Sequence, residues 1–70
     1  MAVSYSGLWK ILIDKGMNKS QLKDAAHIST NAIAKLGKSE YVSLDTLEKI
    51  CSALNCKIED IMEFTIPDAE

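Results

Sequence analysis

The sequence predicts an all-α fold, a compact five-helix bundle, and three observations carry that expectation. Apolar residues recur at helical spacing, most clearly as Leu44, Leu47, Ile50, Cys51 and Leu54. Short polar residues suited to capping a helix start (Asn18, Ser29 and Ser43) precede such stretches. Residues suited to a helix stop (Gly16, Gly37 and Asn55) follow them. Only the ends, AVSY over 2–5 and EFTI over 63–66, have β-like character. They could pair as two short terminal β-strands, within one chain or between two, or fray as coil.

The first helix is expected from about Ser6, read as its N-cap, to Lys15, with Gly16 as its stop. Leu8, Ile11 and Leu12 form its apolar stripe, and Trp9 with Ile13 widens it. The second begins after Asn18, and Gln21 three residues on could complete a capping box. Leu22, Ala25 and Ala26 are expected to face inward from it. A helix of about eight residues does not persist alone in water, so packing must hold it.

His27, Ile28 and Ser29 form a turn, and Ser29 caps a third helix over Thr30 to Leu36. Ile28, Ile33 and Leu36 point to the core and leave Thr30, Asn31, Ala34 and Lys35 on other faces. Gly37 ends this helix, and residues 38–42 form a loop. Ser43 caps the fourth helix and Asn55 stops it. A short fifth spans about Ile58 to Met62, with Ile58 and Ile61 inward.

Seventy residues are expected to make one domain, 1–70. A chain of this size buries only about 60% of its unfolded surface, so its core is thin. Hydrophobic residues make up 47%, and there is one Pro, which fits a compact globular domain and not a disordered one. No apolar run approaches the roughly 18 residues that span a bilayer. MAVSYSGLWK lacks a basic start followed by an apolar stretch. The expectation is a cytoplasmic protein with no membrane contact. Cys51 and Cys56 do not make a disulfide framework, and five apart on a helix they would turn away from one another. A zinc site needs about four ligands, and His27 is the only other obvious candidate. No metal, cofactor or small-molecule ligand is therefore expected, and Cys51 reads as a small core hydrophobe.

The formal net charge is −2, but it is unevenly spread. Residues 1–38 carry six Lys and two Asp, a net +4, whereas residues 39–70 carry two Lys and eight acids, a net −6. Such a split suggests one cationic and one anionic face.

The second and third helices have the pattern of a helix-turn-helix over 18–37. That motif joins two helices at about 90–120° by a short turn and sends the second into the major groove of DNA. It needs apolar residues to lock the pair, here Leu22, Ala25 or Ala26, Ile28 and Ile33. It needs a cap at the recognition helix, here Ser29, and outward donors just after it. From Leu8 to Met62 the chain resembles the phage Cro/cI-type repressor family, also called the XRE family. The stretches that carry the resemblance are MNKSQLKDAAHISTNAIAKLGKS and VSLDTLEKICSALNCKIEDIM.

The resemblance implies a lambda-repressor-like bundle that binds double-stranded DNA as a transcriptional regulator. It implies base reading by Thr30, Asn31 and Lys35, at the start and one turn into the third helix. It implies phosphate contacts from Lys19 and Lys38, with Asn18, Ser29, Ser39 and Tyr41 beside them. Asn can bond adenine bidentately, Lys can donate to guanine, and a Thr methyl can meet a thymine methyl. The chain departs from the family at Lys23, where Ala is usual, at His27, where Gly is usual, and at Gly37 and Ser39 after the recognition helix. It has no Arg, which excludes Arg–guanine readout.

One recognition helix touches few bases, so a homodimer is expected, acting as a repressor. Its interface is expected from Ile58, Met62, Phe64 and Ile66, with Val3 and Tyr5 as further candidates. The alternative is a protein-interaction module, antitoxin-like or anti-repressor, that keeps the fold without binding DNA. An enzyme is not expected. There are no paired carboxylates with a positioned partner, no Gly-rich phosphate loop and no Ser/His/Asp set, and nothing in the spacing of Asp14, His27 and Ser29 makes them converge.

Overall fold

Residues 2–4 and 63–65 meet as a small sheet, and five helices lie between them. A computed structural model describes residues 2–65. The order is β1 (Ala2–Ser4), α1 (Ser6–Lys15), α2 (Lys19–Ala26), α3 (Thr30–Gly37), α4 (Leu44–Leu54), α5 (Ile58–Ile61) and β2 (Glu63–Thr65). β1 and β2 pair antiparallel within the chain, with Ala2 opposite Thr65, Val3 opposite Phe64 and Ser4 opposite Glu63. A two-stranded ribbon is marginal by itself. This one is anchored by Val3 and by Tyr5 just beyond it, both buried. The Tyr5 hydroxyl donates to the carbonyl of Glu40 at 2.7 Å, tying the chain start to the loop after α3. Burial pushes the Tyr5 phenol above its ordinary pKa.

Leu8 and Leu12 of α1, Leu22 and Ala26 of α2, and Leu36 of α3 form the core with Leu47, Ile50 and Leu54 of α4 and Ile61 of α5. The recurring intervals of three and four residues place each set on one helix face. α1 packs against α5, and α2 packs against both α3 and α4. The α1–α5 crossing is close at Gly7. A β-carbon there would overlap the Asp60 carbonyl oxygen and lie 3.2 Å from its carbon. No helix among the described residues is long and apolar enough to cross a membrane.

Several expectations need correction. Tyr5, not Ser6, holds the cap position of α1, and its own side chain makes no capping hydrogen bond. Ser6 is the first helical residue, and its hydroxyl lies 3.1 Å from that of Ser4. Gly37 does not stop α3 but belongs to it; the left-handed residue is Ser39, at φ 57. α5 ends at Ile61, and Met62 is already extended. Ile13 is 77% and Leu44 72% exposed, and Ile58 and Ala25 also face out. Ile13 and Ala25 lie at the outer margins of their stripes, and Leu44 lies in the first turn of α4, past the edge of the core. Ile58 begins a one-turn helix too short to bury both ends. Cys51 and Cys56 do not lie on one continuous helix, and the Cys56 N–H donates to Cys51 O at 3.1 Å. Asn55 adopts a left-handed backbone, φ 54 and ψ 53, and folds the chain back on α4.

Candidate nucleic-acid interface

The helix pair α2–α3 is fixed by local bonds at three points. At its start the Asn18 side chain accepts from the Gln21 N–H, and Gln21 Oε1 accepts from the Asn18 N–H, both at 2.8 Å. That is the reciprocal capping box the sequence predicts. Between the helices His27 is left-handed at φ 57, and the next N–H, of Ile28, donates to Lys23 O at 3.2 Å. His is among the residues that reach this region with less strain than most, so it serves where Gly is usual. At the start of α3 the Ser29 hydroxyl accepts from the Ala32 N–H at 3.1 Å.

These bonds set which side of α3 faces solvent. Ala32 and Leu36 are buried, while Thr30, Asn31 and Ala34 are exposed and Lys35 is half-buried. Asn31 and Lys35 line a shallow cleft of ≈ 190 Å³ with Ser29, Val42, Ser43 and Thr46. Sequence reasoning misses Ser43 and Thr46 as neighbours of this face. It marks Ser43 only as a cap, which it is: its hydroxyl accepts from the Thr46 N–H at 3.1 Å. Placing that cap beside α3 takes the tertiary fold.

Lys19 begins α2, with its ammonium 4.9 Å from the centre of the Trp9 ring. It also stands beside Gly37, 3.3 Å from where a β-carbon would be. A cation over an aromatic face is attracted by the ring quadrupole, which steadies the ammonium without neutralising it. The one ion pair among the described residues joins Lys49 to Asp45 at 3.2 Å, so Lys19, Lys35 and Lys38 have no carboxylate partner there. Lys38 and Ser39 are exposed just past α3. Tyr41 is placed elsewhere. It lines an apolar groove of ≈ 430 Å³ with Leu44, Ile58, Met62 and Phe64, the last three being residues expected at the dimer face. Ile66 lies outside the described residues. Among the described residues no group of three or more His, Cys, Asp or Glu gathers to hold a metal ion.

The family model for the Cro/C1-type HTH DNA-binding domain matches residues 7–68. An uncharacterized HTH-type transcriptional regulator of Bacillus subtilis (strain 168), YozG, is 36% identical over 56 residues, covering 77% of this chain and 67% of YozG. The crystal structure of the transcriptional regulator VanUg superposes with a TM-score of 0.88 at 49% identity, covering 96% of this chain and 88% of that one.

Proposed function

We propose, from the premise that this chain belongs to the Cro/C1-type HTH DNA-binding domain family, that it is a homodimeric repressor reading its operator with α3. The family is one of DNA-binding transcriptional regulators and not of enzymes. The observation that carries the finer reading is the start of α3. A capped, rigidly held helix offers exposed Thr30 and Asn31, with Lys35 one turn on, while its opposite face is buried. In the major groove Asn31 would bond an adenine edge, Lys35 a guanine, and the Thr30 methyl a thymine methyl. Lys19 and Lys38, with Asn18 and Ser29, would hold phosphates and set the register. Tyr41 is the weakest of the phosphate partners on geometry, since it lines the apolar groove.

The same groove supports a two-fold dimer. Leu44, Phe64 and Ile58 expose apolar area there that a second copy would cover. Two copies of α3 would then read half-sites about 34 Å, or 10 bp, apart. Occupying a promoter needs nothing beyond such a dimer, which is why repression is the action proposed.

Selection of bound duplexes from a random pool, followed by footprinting, tests this reading. The expected outcome is a two-fold symmetric site with that spacing. Asn31→Ala should cost about 1–3 kcal/mol on this site and relax the preference at one position in each half. An unchanged preferred site would put base reading on another face. A second reading is favoured by the net −6 of residues 39–70 and by Glu59 and Glu63 at the groove. Under it the chain is an antitoxin-like or anti-repressor module that binds a protein. Failure to bind any duplex at low salt would select that reading.

A further inference from the structure

The end of α4 brings together two thiols that DNA binding does not use. Asn55 is left-handed, and the N–H of Cys56 donates to Cys51 O at 3.1 Å. This six-residue closure ends many helices, and it lays the side chain after the left-handed residue against the one a turn back inside the helix. In this chain both of those side chains are cysteines. They are half-buried and packed against the core.

We propose that Cys51 and Cys56 form a reversible intramolecular disulfide, a redox-modification site built into the C-terminal cap of α4. Burial pushes both thiols above their ordinary pKa. Cys56 is drawn back down by the neighbouring Cys51 thiol and by Lys15 of α1, against the opposing charge of Asp60 in α5. The Cys56 thiol in turn pushes Cys51 further up. Either thiol can attack first; with Cys56 as the attacker the exchange runs through a mixed disulfide on that residue. The oxidant is a small-molecule disulfide. The Cys56 thiolate attacks one of its sulfurs, the S–S bond breaks, and one small thiolate leaves and takes a proton. The Cys51 thiolate then attacks the Cys56 sulfur of the mixed disulfide and expels the second small thiol. Two protein thiols are oxidised and one small disulfide is reduced to two thiols.

The test equilibrates the full chain with oxidised and reduced glutathione, then alkylates free thiols and reads products by mass. The same equilibrium is measured in guanidinium chloride. The intramolecular disulfide should be at least ~10-fold more favoured in the folded chain than in the unfolded one, because the cap already holds the sulfurs together. By linkage the oxidised protein should then melt at a higher temperature than the reduced one. Cys51→Ser should stop at the mixed disulfide on Cys56. Equal or weaker disulfide formation in the folded chain, or products only between chains, would overturn the proposal.

Discussion

Gly7→Ala should lower the midpoint of thermal unfolding by roughly 4–20 °C. Two effects oppose one another at this position. Inside a helix, Ala is favoured over Gly by about 0.5–1 kcal/mol, which alone would raise the midpoint. The new β-carbon, however, would overlap the Asp60 carbonyl oxygen, an atom of the α5 backbone that no rotamer change can remove. Separating α1 from α5 also loosens Leu8 and Ile61, which are fully buried. Overpacking costs about 1–3 kcal/mol, and a clash with a fixed backbone atom lies in the upper part of that range, so it outweighs the propensity gain. A melting curve followed by circular dichroism decides it. A midpoint that rises would show that the helices can part freely.

Leu36→Ala should remove about 2–5 kcal/mol of stability. A chain of this length has in total about 4–10 kcal/mol to lose. Leu36 is fully buried and is the residue through which the last turn of α3 reaches the core. Truncation would leave a cavity beneath the helix that carries Thr30 and Asn31. Urea unfolding should show a lower midpoint with an unchanged slope. Saturating operator should recover part of the loss, because DNA binds only the folded form. A loss below about 1 kcal/mol would mean that the site collapses around the smaller side chain.

The sequence is most legible where structure is set locally. Asn18, Ser29 and Ser43 cap the helices they precede, and His27 and Asn55 take the left-handed turns that follow α2 and α4. Each depends on bonds within a few residues. The exposed face of α3 is legible for a related reason. Burial of Ala32 and Leu36 follows the helical period and leaves Thr30 and Asn31 outside.

What the sequence hides depends on contacts distant along the chain. AVSY and EFTI show strand character, but nothing local tells that Val3 pairs with Phe64 of the same chain. Gly7 matters because of Asp60, and Lys19 is steadied by Trp9 across the gap between two helices. The apolar stripes also conceal their limits. Leu44 and Ile58 continue the pattern yet stand outside the core, where they line a groove instead. Cys51 and Cys56 would diverge on a continuous helix, and one left-handed residue between them reverses that.

Base reading by α3, with phosphates held by the lysines around it, predicts a steep dependence of DNA affinity on salt. The deciding experiment follows affinity for the selected duplex across a range of salt concentrations, for the wild type and for Lys19→Ala. Two lysine–phosphate pairs in each half of a dimer predict a slope of log affinity on log salt of roughly −3 to −5. Lys19→Ala should weaken binding to all duplexes alike and make the slope shallower by about 1 for each phosphate left without its lysine. Affinity that does not change with salt, or a Lys19→Ala slope equal to that of the wild type, would be incompatible with this mode of binding.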